Sequence, residues 1–335
     1  MSGVKPRLQE FEALRALSIV LLLALHSEIF GIQVFGYEVG HFAEFVGAFL
    51  LGSFFFLAGY FENSSLQKNK DNIFYFIRAK FIRIFPPYWL ALLASIFIME
   101  FSLKKRFDLS VYILNLQFIF SPAFVKQILT LWYLSIVVAY YFIFGILAVR
   151  TKSNAALLVW SAVVFGAAYI LHLTTDLLDA RFFQYYFIFL AGIYFSRYEE
   201  IREILFKLRF IYKIGIAALG AWLFWLVQAA RYQVIDGLYL LAVDIFILGW
   251  VLMWLTIFRK PVGSWHIWSL ISTASFFAYL YHRPLWKLMQ SFFVLQSVQD
   301  EALFRFLPGS LVVLIVCYFL QRGYDRILVM MRLAK

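Results

Sequence analysis

Long apolar runs are the dominant pattern of this chain. Ten of them approach the ~20 residues that an α-helix needs to cross a bilayer. Their approximate limits are residues 12–30, 43–61, 84–102, 128–149, 155–173, 182–196, 211–229, 236–257, 266–286 and 303–321. A further apolar piece, residues 109–121, is too short to span and predicts a re-entrant or interfacial segment. The pattern therefore predicts an all-α polytopic membrane protein with about ten transmembrane helices.

The composition supports the same class. Hydrophobic residues fill 64% of the 335 positions, charged residues fill 15%, and the mean hydropathy is +0.81. Soluble domains are closer to half apolar and a quarter charged, and no soluble core could hide so much apolar surface. We find no internal repeat and no linker, so we treat residues 1–335 as a single integral-membrane domain.

The net charge of +11 is explained by the orientation in the membrane. If the N-terminus is cytoplasmic, the cytoplasmic segments hold 21 of the 30 lysines and arginines, as the positive-inside rule expects. The even number of spans then places both termini in the cytoplasm, and no nucleic-acid partner is needed to explain the charge. The first run is not followed by a small-residue cleavage site, so we predict a retained helix and not a signal peptide.

Cysteine and metal chemistry are not expected. The single cysteine, Cys317, excludes an internal disulfide, and its apolar surroundings indicate a packing role. No Cys/His spacing typical of zinc sites occurs, so we predict no metal.

The first helix carries ionisable residues along one stripe. Arg15 and His26 are eleven residues apart, which is three turns plus about 20° and a rise of ~16 Å. Glu12 falls on the same stripe. Ionisable groups in a span usually face a bundle interior or a wet cavity and indicate a functional site. The alternatives are an interfacial anchor for Arg15 and a structural hydrogen bond for His26.

A second polar constellation is FYFIRAKFIRIFPPYW, residues 74–89. Arg78, Lys80 and Arg83 precede Pro86-Pro87, which we expect to begin the next span. Arginine forks match phosphate oxygens, so the cluster could bind phosphate. The alternative is an amphipathic interfacial helix held by anionic lipid.

The third constellation is SFFAYLYHRPLW, residues 275–286. Proline disfavours a helical conformation at the preceding residue, so we expect a broken helix and a polar pocket beside His282. The alternative is an interfacial belt of aromatic residues that includes Tyr279.

In the eighth span, Asp244 lies near mid-membrane and should be paired or protonated, either in a structural hydrogen bond or as the group that orients a histidine.

Five motifs occur in order over nearly the whole chain. They are R-x-x-x-x-E-A-L-R-A-L with the late His26, FFFLAGYF (54–61), RAKFIRIFPPYW (78–89), LWYL (131–134) and YLYHRPL (279–285). Together they resemble the motifs of the membrane acyltransferase 3 family. This family moves acyl groups, often acetyl, from cytoplasmic acyl-coenzyme A to hydroxyls of glycans and other acceptors.

The resemblance implies a role for particular residues. Arg15 and His26 match the family's paired functional residues, and its proposed donor-binding cluster matches Arg78, Lys80 and Arg83. Further candidates for the acceptor site or its surroundings are Trp132, Tyr279, His282, Asp244 and Glu12. Some members carry a glutamate where this chain has Val137 or Gln321, so the carboxylate that would orient His26 is not identified.

We therefore predict an O-acyltransferase of the bacterial inner membrane, with His26 as general base and His282 as the rival for that role. Its partners are acyl-coenzyme A, used as a co-substrate and not a bound cofactor, and a glycan or lipid-linked saccharide. The alternative is a glycolipid or polysaccharide exporter without catalysis.

Overall fold

Helices build almost all of the part of the chain that the computed structural model describes. The described residues are 8–34, 37–38, 40–68, 73–103, 106–121, 123–151, 153–293 and 295–331. The α-helices in these ranges are α1 (Gln9–His26), α2 (His41–Lys68), α3 (Ile73–Phe97), α4 (Arg106–Ile113), α5 (Gln117–Phe120), α6 (Leu131–Arg150), α7 (Asn154–Thr175), α8 (Ala180–Gln184), α9 (Tyr186–Arg197), α10 (Glu199–Lys207), α11 (Phe210–Ala229), α12 (Gly237–Phe258), α13 (His266–Gln290), α14 (Val298–Phe304) and α15 (Ser310–Met330). A two-residue hairpin, β1 (Gln33–Val34) and β2 (Tyr37–Glu38), pairs antiparallel between α1 and α2.

Seven described helical segments are long and apolar enough to cross a membrane. They are α2, α3, α6, α7, α11, α12 and the continuous segment formed by α14 and α15. The prediction of an all-helical, multi-pass membrane protein is therefore confirmed. Of the other three predicted runs, the first carries three charged residues early in α1, the sixth is divided between α8 and α9, and the ninth is the more polar α13. The count of about ten spans stays a prediction, and the chain ends at 1–7 and 332–335 lie outside the described residues.

The predicted start of a span at Pro86-Pro87 is wrong. Helix α3 runs unbroken through both prolines, so the basic segment and the span are one helix. A proline at 86 cannot donate a hydrogen bond to the carbonyl of Ile82. The hydroxyl of Tyr324 donates to that carbonyl instead, over 2.5 Å, and compensates the loss. Neighbouring helices commonly supply such bonds in membranes, which is why proline is tolerated there.

The predicted break at Pro284 is also wrong, because α13 continues as a helix from His266 to Gln290. The preference of the residue before proline for extended backbone is an energetic bias, which helix packing can override. His282 therefore sits on a regular helical face, and its orientation is set by the helix and not by a loop.

Residues 109–121 do not span. They form most of α4, a turn, and α5. Helix α4 packs against α3, and α5 packs against α6. The Oγ of Ser135 donates to the carbonyl of Asn115 over 2.6 Å, and the backbone N–H of Leu178 donates to the carbonyl of Ile119 over 2.9 Å. This segment is thus tied to the same end of the bundle as the C-terminus of α1.

Two ends of the bundle can be defined from α1. The basic end is the one where α1 begins, α2 ends and α3 begins, and it holds Arg15 and Arg83. The histidine end is the one where α1 ends and α2 begins, and it holds His26. Helix α1 lies inside the bundle, where it packs against α2, α12 and α13. Its residues Ala13, Ala16 and Ile19 are fully buried.

Helices α2 and α9 approach each other through a reciprocal pair of glycines. A Cβ atom on Gly59 would lie 2.0 Å from the carbonyl oxygen of Phe189, and one on Gly192 would lie 2.1 Å from that of Phe56. Small residues let backbones of membrane helices come into close contact. Any larger residue at either position must push the two backbones apart.

We expect Gly59→Leu to prevent this packing, because the clash is with backbone and no rotamer change can relieve it. Overpacking costs about 1–3 kcal/mol or more in a packed core. Thermal unfolding of the purified variant should shift to lower temperature, together with a loss of monodisperse protein. Gly166→Leu in α7 is the matched control, since a Cβ there would meet no atom within 4 Å. Equal stability of the two variants would contradict the packing argument.

Candidate active site

Two histidines from opposite ends of the sequence contact each other at the histidine end. Nδ1 of His26 and Nε2 of His282 are 2.8 Å apart. The ring planes differ by 12° and the centroids are 5.0 Å apart, so the rings meet edge to edge and nearly in one plane. His282 is fully buried, whereas His26 is partly exposed. The sequence named these two residues as rivals, and the structure joins them in one hydrogen bond.

The hydrogen-bond network assigns the tautomers of the pair. Nδ1 of His282 lies 2.9 Å from the carbonyl oxygen of Ala278 and 3.0 Å from that of Tyr279, so this nitrogen carries the hydrogen. When both rings are neutral, Nε2 of His282 must accept the hydrogen on Nδ1 of His26. The lone pair of His26 then resides on its Nε2, the nitrogen that points away from His282. A base with a fixed tautomer is what proton abstraction requires.

Unsatisfied donors flank the histidine pair. The rings of Trp286 and His282 contact edge to face, with centroids 5.1 Å apart. Nε1 of Trp286 and Nε of Arg283 are buried without a hydrogen-bond partner among the described residues. Beside them, Arg305 forms an ion pair of 3.3 Å with Glu28. Buried N–H groups without a partner are rare in proteins, and each requires an explanation.

Tyr279 contacts the residue just before α6, the helix that carries Trp132 near its beginning. The Tyr279 hydroxyl donates to the carbonyl of Thr130, a residue with φ of +76°. Positive φ is strained for a β-branched residue, and such strain clusters at functional sites. The Arg181 guanidinium covers the Trp132 ring at 3.7 Å from its centroid, and Nε of Arg181 donates to Asp179 over 2.8 Å. Both residues suggested by the sequence are thus brought to the histidine end.

Arg15 and Arg83 converge at the basic end. The Arg15 guanidinium lies 4.9 Å from the ring centroid of Phe61, and it is close enough to Arg83 and Glu12 to interact with both charges. Arg83 is exposed on α3, as is Arg78 one and a half turns earlier. Two guanidinium groups from α1 and α3 thus form a site of positive charge at this end.

Lys80 is already engaged inside the protein. Its Nζ lies 2.8 Å from a carboxylate oxygen of Glu62, a fully buried residue, and 3.9 Å from the ring centroid of Tyr141. The sequence reasoning missed Glu62, although an acidic residue directly after the apolar FFFLAGYF was the available signal. The predicted contact of Lys80 with donor phosphates stays a prediction.

Neither Asp244 nor the position occupied by Gln321 supplies a carboxylate partner for His26. Asp244 lies in α12, with a buried Oδ1 that has no hydrogen-bond partner among the described residues. Gln321 donates to Asp325 over 2.9 Å. The role considered for Asp244, orientation of the histidine, is filled by the imidazole of His282. Within the described part of the chain, no group of three metal-binding side chains occurs.

The arrangement of the histidines and basic residues agrees with the family that the chain matches. It matches the acyltransferase 3 family, described as an acyltransferase domain, over residues 8–322. The match covers more than nine-tenths of the chain, which therefore belongs to this family of membrane acyltransferases. No curated protein matches the chain.

The sequence alone indicated individual residues of this site but not the contacts between them. Sequence reasoning proposed Arg15 and both histidines because these ionisable residues lie in or at the edge of apolar runs. It proposed the basic cluster of α3 because arginine forks match phosphate oxygens. It missed the contact between His26 and His282, because 256 residues separate them and no local pattern links them. It also missed the free donors of Arg283 and Trp286, since a side chain without a partner is visible only once its neighbours are known.

We expect His282→Ala to lower kcat by about ten- to a hundredfold, because a hydrogen bond to a charged group contributes about 1.5–3 kcal/mol. KM for the acyl donor should stay unchanged. His282→Gln can still present a carbonyl oxygen to Nδ1 of His26, so it should recover part of the activity. Steady-state kinetics of the three proteins measure this. Equal losses in the Ala and Gln variants would contradict a positioning role.

Proposed function

We propose that this membrane acyltransferase is an O-acyltransferase that moves an acetyl group from acetyl-coenzyme A to a hydroxyl of a cell-surface glycan or lipid-linked sugar. The observation that carries the proposal is the histidine pair, which leaves a lone pair on Nε2 of His26. O-acylation needs a group that takes the hydroxyl proton as the oxygen attacks, and a neutral imidazole suits this at physiological pH.

The reaction follows from the two tautomers. The acceptor hydroxyl attacks the thioester carbonyl carbon while its proton passes to Nε2 of His26. The imidazolium that forms keeps donating its Nδ1 hydrogen to His282, which stabilises the positive charge. Collapse of the tetrahedral intermediate breaks the carbon–sulfur bond, and the proton on His26 passes to the departing thiolate. The products are the acyl ester and free coenzyme A.

The free donors beside the pair would stabilise the tetrahedral intermediate. Its oxyanion needs preorganised N–H groups in a site that excludes water. Nε of Arg283 and Nε1 of Trp286 are buried, have no protein partner among the described residues and belong to the helix of His282. An oxyanion hydrogen-bonded to them would satisfy donors that are otherwise left without a partner.

The donor would enter from the basic end. The phosphates of coenzyme A would meet Arg15 and Arg83, while its long thioester arm would extend along α1 to the histidines. The rise from Arg15 to His26 is ~16 Å. We place the basic end in the cytoplasm of a bacterium, with both termini there and the protein in the inner membrane, because 21 of the 30 lysines and arginines then lie inside.

We expect His26→Ala to abolish transfer while the protein stays folded. Loss of a general base typically costs roughly 10²–10⁴ in rate, whereas loss of one polar contact inside a membrane costs about 0.6 kcal/mol. Transfer from labelled acetyl-coenzyme A to surface polysaccharide extracted from cells lacking the gene measures the first effect, and monodisperse yield measures the second.

His172→Ala is the control, since His172 bonds only backbone carbonyls at the end of α7. A His26→Ala protein with near wild-type turnover would refute the assignment, and inactive wild-type protein would favour an exporter.

We expect Arg83→Ala to weaken coenzyme A binding by about ten- to a hundredfold, because a charge-assisted contact to phosphate contributes about 1.5–3 kcal/mol. Arg78→Ala should weaken it less, since Arg83 is the one that shares its site with Arg15. Calorimetric titration with coenzyme A measures both. Arg150→Ala, at the same end on α6, is the matched control and should bind normally. If the Arg83 and Arg78 variants bind coenzyme A with unchanged affinity, the basic segment of α3 is an interfacial helix and not a phosphate site.

A further inference from the structure

A polar cavity of about 430 Å³ opens at the histidine end. It lies between the beginnings of α2 and α12, the end of α11 and the junction of α8 with α9. Its volume is within the ~300–1,000 Å³ typical of small-molecule sites. Neither the histidine pair nor the basic end lines it, so it is separate from the site described above.

The walls of this outer cavity present hydrogen-bonding groups held in place by packing. Gln184 and Tyr185 line it although they are only 7% and 2% exposed. Neither the Gln184 amide nor the Tyr185 hydroxyl is hydrogen-bonded to a described residue. The Tyr185 ring stacks on Phe55, with centroids 4.6 Å apart, so its direction is fixed. The Gln184 amide and the Tyr185 hydroxyl can therefore donate hydrogen bonds to a ligand in the cavity and accept them from it.

The remaining lining defines the chemical class of that ligand. Gln228 and Glu44 add an amide and a carboxylate, and Tyr232 and Tyr239 add aromatic faces. Among the described residues that line the cavity none is cationic and Glu44 is anionic, so the lining favours a neutral or basic ligand over a phosphate group. Amide, carboxylate and phenol groups bond vicinal hydroxyls, while aromatic rings cover C–H faces. The lining therefore fits a neutral or basic sugar ring.

Two walls of the outer cavity pack against residues that neighbour the histidine pair. Gly47 lines it, and a Cβ atom on Gly47 would lie 3.5 Å from Leu25, the residue before His26. On the other side, the Phe55 ring that supports Tyr185 also contacts Tyr133, with centroids 4.7 Å apart. Tyr133 in turn contacts Tyr279, one turn before His282, at 5.1 Å.

We propose that the outer cavity is the subsite that holds the acceptor saccharide, by a ring adjacent to the one whose hydroxyl is acylated. The proposal rests on the proposed function, because it needs a glycan acceptor. Sugar bound there by Gln184 and Tyr185 would direct the neighbouring hydroxyl toward Nε2 of His26. The cavity thus decides which glycan is modified, while the histidines perform the transfer.

The test compares Gln184→Leu and Tyr185→Phe with the wild-type protein in nanodiscs. The donor is labelled acetyl-coenzyme A, and the acceptor is surface polysaccharide extracted from cells that lack the gene. Each variant should raise KM for the polysaccharide roughly three- to tenfold, as expected for one lost hydrogen bond. KM for acetyl-coenzyme A should stay at the wild-type value. Gln233→Leu is the matched control, because this exposed glutamine lies outside the cavity lining.

The outcomes separate the two proposals. If wild-type protein transfers acetyl but both variants keep the wild-type KM for the polysaccharide, the subsite is refuted and the proposed function stands. A parallel rise of KM for acetyl-coenzyme A also refutes the subsite, since it reports general damage. If the wild-type protein transfers nothing, the proposed function fails and the subsite fails with it. Monodisperse yield identifies a misfolded variant, and Glu44→Gln then provides the second measurement of acceptor KM.

Discussion

Hydrocarbon offers no hydrogen bonds, and this constraint determines how the polar side chains of the protein are arranged. Each polar group placed within the membrane must find its partner inside the protein. Tyrosine hydroxyls meet this need repeatedly by donating to backbone carbonyls of other elements, as Tyr186 does to Ser161 over 2.9 Å and Tyr281 to Pro87 over 2.8 Å. Lys80 and Glu62 meet it by pairing with each other. Groups that fail to find a partner therefore stand out as candidates for ligand contacts.

The same constraint explains the hydrogen bonds of the histidine pair. A buried imidazole must satisfy both nitrogens, and His282 does so with a backbone carbonyl on one side and His26 on the other. In the proposed mechanism, orientation by a second imidazole takes the place of the carboxylate found in Ser-His-Asp triads. A neutral partner avoids placing an additional anion in the membrane. It also leaves His26 as the member of the pair that has a free nitrogen and access to solvent.

Positive charge and the proposed general base lie at opposite ends of α1, and this separation distinguishes the two ends of the candidate site. Arg15 is near the beginning of the helix, close to Arg83, and His26 is its last residue. A donor with a charged head and a long, nearly neutral arm fits such an arrangement, whereas a compact substrate would reach only one end. The outer cavity lies at the histidine end, where Gly47 in its wall packs close to Leu25.

The sequence by itself determined the membrane environment, the class of protein and most of the candidate site residues. Apolar runs can be buried only in lipid, and an ionisable residue inside one is costly enough to indicate function, which is why Arg15, His26 and His282 could be found. Local rules failed at Pro86 and Pro284, because packing of a neighbouring helix outweighs the local bias against helix.

Only the tertiary structure decided which polar groups meet. The bond between His26 and His282, the pairing of Lys80 with Glu62 and the unsatisfied donors of Arg283 and Trp286 all depend on neighbours far away in the chain. Helical periodicity places a side chain on a face, but it contains no information on the helix that will pack against that face. That choice is made by packing of the whole bundle, through contacts such as the close approach of Gly59 and Gly192.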